Sequence, residues 1–140
     1  MRQRMSTIEY KDIAQFICGR YGGKKVVEIG VGRLHEIARM ISGCVDLTVT
    51  DIEPVGQGSG LRFVQDDVFQ PDMDIYMNAG LIYSIRPPIE MQGAMGAIAE
   101  RVGSDMVIRP LGTEDVLGHG RLVNFGKARF YFYDVSQQDA

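Results

Sequence analysis

Val26-Val27-Glu28-Ile29-Gly30-Val31-Gly32 is the stretch that decides the fold. It opens as a short β-branched run from Lys25, the composition of a buried strand, and closes on a Gly-Val-Gly turn. Beyond the turn, Leu34, Ile37, Ala38 and Ile41 fall at i, i+3, i+4 and i+7, the apolar stripe of an amphipathic helix, and Gly43 stops it. Val45 to Thr50 returns as a strand that ends on Asp51. Strand, glycine turn, helix and strand make a βαβ unit, which implies parallel pairing and a right-handed crossover.

Outward from this unit, Ser6 and Glu9 have the spacing of a capping box, and Ile13, Phe16, Ile17 and Tyr21 continue at helical intervals to Gly22-Gly23. On the other side, Glu53 to Gly60 is rich in glycine and too short for a packed helix. Leu61 to Gln65 is expected as the third strand, closed by Asp66-Asp67, and Leu81 to Ile85 as the fourth. Asp72 to Ala79 between them is expected as a turn or short helix. Pro87-Pro88 opens a helix where proline is welcome, with Met91, Met95, Ile98, Ala99 and Val102 on its apolar face. Met106 to Ile108 is the fifth strand. Leu122 to Phe125 and Ala128 to Val135 flank Gly126-Lys127, a glycine-first loop that suits an antiparallel hairpin.

The expectation is therefore a three-layer α/β domain over residues 1–140, with a mostly parallel sheet in the order 3-2-1-4-5, antiparallel carboxy-terminal strands and a reduced set of helices. A net charge of −3 draws the chain neither to nucleic acid nor to anionic membranes in bulk. No apolar run is long enough to cross a bilayer. The basic start Met1-Arg2-Gln3-Arg4 leads into polar residues and does not read as a signal peptide, so a cytoplasmic location is expected. Cys18 and Cys44 lack metal-knuckle spacing and read as two buried, reduced thiols. His35 and His119 have no second ligand at metal spacing.

Glycines between a strand and a helix let a ligand approach the backbone and expose amide donors at the helix start. Asp51 ends the second strand, where a carboxylate accepts from both ribose hydroxyls of an adenosine. Asp67 ends the third, within reach of an adenine amino group if the strands are ordered as expected. The alternative is a turn that serves only tight packing of strand on helix.

Val26 to Gly32 resembles motif I of class I S-adenosylmethionine-dependent methyltransferases, with Glu28 in the acidic position. Val49-Thr50-Asp51-Ile52 is similar to motif II. Phe63-Val64-Gln65-Asp66-Asp67-Val68 resembles the third-strand motif whose acid, here best matched by Asp67, reads adenine. Over its whole length, and most visibly at Leu81-Ile82-Tyr83-Ser84-Ile85-Arg86-Pro87-Pro88, the chain is similar to a small uncharacterised archaeal family. The resemblance implies a Rossmann-like fold and a site for S-adenosylmethionine or a related adenosine ligand. In that site Glu28, Gly30 and Gly32 hold the amino-acid end, Asp51 the ribose and Asp67 the base, with Ile52 and Val68 also expected among the cofactor-binding residues.

Two departures bear on activity. Leu34 stands where methyltransferases often carry a further glycine, and Gly56-Gln57-Gly58-Ser59-Gly60 replaces the helix between the second and third strands. A nicotinamide dinucleotide, the second choice, needs close packing at a glycine where His35 stands. Arg86 occupies the place of the amine acceptor in amino-methyltransferases, but a guanidinium only donates. It suits a carboxylate or phosphate, or else serves as a surface residue at a helix start. Tyr83, Ser84 and Arg86 are the candidates for chemistry, and neighbouring strand residues point to opposite faces, so at most one of Tyr83 and Ser84 faces a given cleft wall. The methyl acceptor is not named by the sequence, and a non-catalytic ligand-binding or interaction domain stays open beside an enzyme.

Overall fold

The computed structural model describes residues 5–135; the basic start, residues 1–4, and residues 136–140 lie outside it. The elements are α1 (Thr7–Tyr21), β1 (Lys25–Ile29), α2 (Glu36–Ile41), β2 (Asp46–Asp51), β3 (Phe63–Gln65), β4 (Leu81–Ile85), α3 (Ile89–Val102), β5 (Asp105–Arg109), β6 (Arg121–Phe125) and β7 (Ala128–Tyr133). A 3-10 turn at Met73–Ile75, capped by Asp72, precedes β4. The sheet order is β3-β2-β1-β4-β5-β7-β6. Its first five strands are parallel, and β7 runs antiparallel to both β5 and β6. This is the expected arrangement, including the crossover from β3 back past β2 and β1 to β4 that reverses the direction of strand progression.

Alternation along the strands sorts the core into two layers. Val26, Leu47, Val49, Leu81, Tyr83 and Val107 face α1 and α2, together with Phe130 and Phe132. Val27, Ile29, Ile82, Met106 and Ile108 face α3 and the 3-10 turn, where Tyr76, Met95, Ile98 and Ala99 cover them. With both faces covered, β1 and β4 are buried at all but one position each, the polar Glu28 and Ser84 included.

Local chemistry sets the ends. Ser6 caps α1 by accepting from the Glu9 amide at 3.1 Å, while the Glu9 carboxylate pairs with Arg109 at 2.9 Å instead of closing the capping box. Gly103 ends α3 with φ 68, and the hairpin glycine, Gly126, has φ 60. Asp12 of α1 accepts from the Lys127 amide at 2.7 Å and so ties the helix to the hairpin loop.

Three expectations are corrected. Cys18 and Cys44 are not free thiols: they form a disulfide, because the last turn of α1 and the turn after α2 bring their Cα atoms to 5.8 Å. Leu34 is not on the glycine helix; α2 begins at Glu36, and Leu34 lies before it, 66% exposed. The third strand is shorter than Leu61 to Gln65: Phe63 to Gln65 pair with β2 in register, and before them the Arg62 carbonyl accepts from the Val49 amide at 2.9 Å. No helix forms between β2 and β3, as the glycine-rich segment predicts.

Candidate functional site

The carboxyl ends of β1, β2, β3 and β4 converge on two adjoining clefts. One, of about 290 Å³, lies on the α1 and α2 side and is lined by Glu28, the Gly30–Leu34 turn, Ile85 and Arg86, with Tyr10 and Leu111 at its margin. The other, of about 260 Å³, lies on the α3 side; Thr50, Asp51, Ile52, Asp66, Asp67, Val68 and Phe69 form one wall, and Ser84, Pro87, Pro88 and Met91 the other. Gly30, Ile85 and Arg86 line both and form the ridge between them. Open α/β sheets hold ligands at this edge, where the strand order reverses.

The turn that separates the clefts needs its glycines for backbone shape. Gly30 has φ 70 and Gly32 φ 64, the left-handed region that side chains disfavour. A Cβ on Gly30 would meet only ordinary contacts at 3.9 Å, and one on Gly32 would meet nothing within 4 Å. Tight packing therefore does not account for either glycine. The amides of the turn are engaged within the fold, contrary to the expectation that they stand open at a helix start. The Val31 amide donates to the Thr50 carbonyl at 2.9 Å, and the Gly32 amide donates to Asp51 Oδ2 at 3.0 Å. His35 Nε2 meets the Gly32 carbonyl at 2.9 Å, which uses the residues before α2 to close the turn.

The acidic residues divide by what already binds them. Asp51 accepts from Gly32 and, through Oδ1, from the Glu53 amide at 3.0 Å, and it remains part of the cleft wall. Asp66 is taken up by the fold: it accepts from the Tyr76 hydroxyl at 2.7 Å and from the Asp72 amide at 2.9 Å. Asp67 accepts through Oδ1 from the Phe69 amide at 2.9 Å. Ile52 and Phe69 stand 57% and 60% exposed beside these acids, large apolar side chains over the mouth of the cleft.

Glu28 is buried, and its Oε1 accepts from the Tyr83 hydroxyl at 2.6 Å. Burial pushes the Glu28 carboxyl up to about 7; the charge of Asp51 adds to this and the Tyr83 hydrogen bond opposes it. Burial, followed by the neighbouring Glu28, holds the Tyr83 hydroxyl well above its ordinary range. Ser84 points to the opposite face, as alternation requires, and donates to the Ile29 carbonyl at 2.7 Å. Arg86 follows with φ 56, a left-handed conformation that a residue other than glycine holds only under constraint. Among the described residues no group of histidine, cysteine, aspartate and glutamate has the arrangement of a metal site. No helix among them is long and apolar enough to cross a membrane.

The profile described as Uncharacterised protein family (UPF0146) matches residues 10–135. The chain belongs to this family. Among its UPF0146 relatives, the protein of Methanothermobacter thermautotrophicus is 40% identical over 129 residues, covering 89% of this chain and 94% of its own. Similar solved structures include S-adenosylmethionine-dependent methyltransferases and also a putative Zn-dependent alcohol dehydrogenase of Rhodobacter sphaeroides. A TehB-like S-adenosylmethionine-dependent methyltransferase of Corynebacterium glutamicum superposes with a TM-score of 0.60 at 19% identity, covering 86% of this chain and 85% of that one. A mutant of MtNAS in complex with S-adenosylmethionine gives a TM-score of 0.58 at 13% identity; the match covers 91% of this chain and 62% of that one. At these identities the likeness establishes a methyltransferase-like fold for the UPF0146 chain.

The structure brings Glu28, Gly30, Gly32, Asp51, Ile52, Asp67, Val68, Ser84 and Arg86 to the two clefts, and leaves Tyr83 behind Glu28. Sequence reasoning missed Arg33, Phe69 and Met91. Arg33 follows the glycine turn directly and Phe69 follows Val68, so adjacency was the available signal. Tyr10 of α1 and Leu111 of the loop after β5 reach the first cleft only through the tertiary fold.

Proposed function

We propose that this UPF0146 protein acts as one domain that binds S-adenosylmethionine or a closely related adenosine ligand across both clefts. The observation that carries the reading is the wall of the second cleft. Asp51 and Asp67 stand there with Ile52, Val68 and Phe69, directly beside the Gly30–Gly32 turn. Each cleft, of about 290 and 260 Å³, is just under the usual range of small-molecule sites, roughly 300–1,000 Å³, and the two taken together across their shared ridge fall within it.

Each residue has work suited to its surroundings. Asp51 offers the ribose hydroxyls a carboxylate already held in place by the Gly32 and Glu53 amides. With Asp66 bound to Tyr76 and Asp72, Asp67 is the acid left for the base edge, and Ile52, Val68 and Phe69 supply apolar cover for its faces. Glu28, Gly30 and Gly32 border the first cleft, which takes the remainder of the ligand. Bound S-adenosylmethionine would supply an electrophilic methyl group. The chain's own contribution is to hold and orient the reactants, which by itself lowers a barrier substantially. The Tyr83 and Ser84 hydroxyl protons are committed to Glu28 and to the Ile29 carbonyl, so these two residues position their neighbours.

A non-catalytic ligand-binding role is the second reading. The bare connection between β2 and β3 favours it, because no helix there builds up the wall beside Ile52. Calorimetric titration with S-adenosylmethionine, S-adenosylhomocysteine and oxidised nicotinamide dinucleotide tests the assignment. Binding of the first two and not the third is expected; nicotinamide binding without either S-adenosyl compound would overturn it. Methyl transfer to an added acceptor would then distinguish enzyme from binding domain.

A further inference from the structure

We propose that the cleft on the α1 and α2 side is an oxyanion subsite in which Arg33 and Arg86 together hold a carboxylate or a phosphate. The two arginines lie 53 positions apart in sequence. Both line one cleft of about 290 Å³, because the turn after β1 and the turn after β4 border it. Sequence alone offers Arg86 no basic companion; the fold provides one.

Among the described residues no side chain occupies either guanidinium. Arg20, Arg62 and Arg109 have carboxylate partners, and Arg20 and Arg121 lie over Phe132. Among the described residues, no ion pair, side-chain hydrogen bond or ring contact engages Arg33 or Arg86. For Arg33, which is exposed, that is ordinary. Arg86 is half-buried and lines both clefts, so its guanidinium, without a partner among the described residues, is placed to meet an anionic ligand there. Its backbone adds a second oddity, because φ 56 is a conformation that glycine adopts at no steric cost. A side chain kept at that position against the backbone's preference is kept for what the side chain does.

The acidic residues of the cleft do not cancel this field. Glu36 is exposed at the start of α2. Glu28 is buried beneath the cleft, bound to Tyr83, and its proton is held up to about pH 7, so it is not a full negative charge at neutral pH. Two guanidinium forks against one solvated carboxylate favour an anion, and planar forks suit carboxylate and phosphate oxygens in bidentate fashion.

The oxyanion has two possible sources: the amino-acid carboxylate of an S-adenosyl ligand, or a separate anionic acceptor. The subsite rests on the adenosine reading only for what occupies the neighbouring cleft. The test is calorimetry at one fixed salt concentration on the full chain, with S-adenosylhomocysteine, 5′-methylthioadenosine (the same thioadenosine without the amino-acid end, ammonium and carboxylate both) and inorganic phosphate. The proteins are wild type, Arg33→Ala, Arg86→Ala and Arg86→Lys. Arg86→Gly is added because it suits the left-handed backbone and removes the guanidinium without straining the fold.

If the ligand's own carboxylate is held, S-adenosylhomocysteine binds about tenfold tighter than methylthioadenosine, and the margin collapses in the arginine variants while methylthioadenosine affinity stays constant. If a separate anion is held, the two adenosines bind alike, and phosphate binds wild type saturated with methylthioadenosine but not the arginine variants. Arg86→Lys should already weaken the anion, because it keeps the charge and loses the fork. Phosphate binding that depends on both arginines, with no adenosine bound, would keep the subsite and reject the adenosine reading. Equal adenosine affinities with no phosphate binding, or arginine variants that bind every probe like wild type, would overturn the subsite.

Discussion

Asp51 holds the amides of Gly32 and Glu53 and at the same time faces the second cleft. Asp51→Ala should weaken adenosine-ligand binding by about 1.5–3 kcal/mol, the range for losing a charged acceptor, and lower stability by freeing two amides. Titration of the folded variant checks this; undiminished affinity would remove the ribose role. Arg86 predicts the opposite sign for stability. Arg86→Gly relieves the left-handed φ and should raise the unfolding free energy by about 1 kcal/mol, read as a higher urea midpoint. A lowered midpoint would make the guanidinium part of the scaffold. Glu28 predicts a pH dependence. Its carboxyl is raised from 4.5 to about 7, so the folded state binds the proton more tightly than the unfolded chain. The stabilisation is therefore full below about pH 4.5 and is lost as pH rises through about 7. Melting curves across this window should slope downward for wild type and flatten for Glu28→Gln; identical profiles would contradict the burial argument. The acids and glycines were legible because each sits at a strand end, a place that local pattern predicts. The Glu28 bond to Tyr83 and the shared cleft of Arg33 and Arg86 were not, since they depend on β1 and β4 being neighbours across a 55-residue gap in the first case.

At the scale of elements, the βαβ unit and the hairpin follow from periodicity and turn chemistry, and both are present as expected. The start of α2 was misread because Leu34 fits the apolar stripe of that helix, while His35 spends its ring on the Gly32 carbonyl and delays the first helical turn to Glu36. The disulfide was misread for a different reason. Cys18 and Cys44 are separated by 26 positions, and only the packing of α1 against α2 brings them together. A cross-link over a loop of that length stabilises by about 3 kcal/mol in the chain-entropy picture. Denaturation with and without reductant, and of a Cys18→Ala, Cys44→Ala double variant, should show a loss of that order. Equal midpoints would mean that the bond contributes nothing to the fold.

At the scale of the molecule, the sheet order follows from one long crossover, and its consequence is the reversal between β1 and β4 where the clefts lie. The reduced helix set leaves Ile52 and Phe69 exposed over the second cleft, where a fuller fold would bury them. Exposed apolar side chains beside two acids, at the edge where such sheets hold ligands, are the whole-molecule form of the adenosine reading. A third cavity, of about 220 Å³ between α3 and Tyr133, lies away from that edge and provides an internal control. The direct test is an amide chemical-shift titration of isotope-labelled protein with S-adenosylhomocysteine. Saturable shifts at Gly30, Gly32, Ile52, Asp67 and Phe69, with Gly96, Leu117 and His119 unmoved, are the predicted result. No shift at saturating ligand, or shifts confined to Gly96, Leu117 and His119, would contradict it.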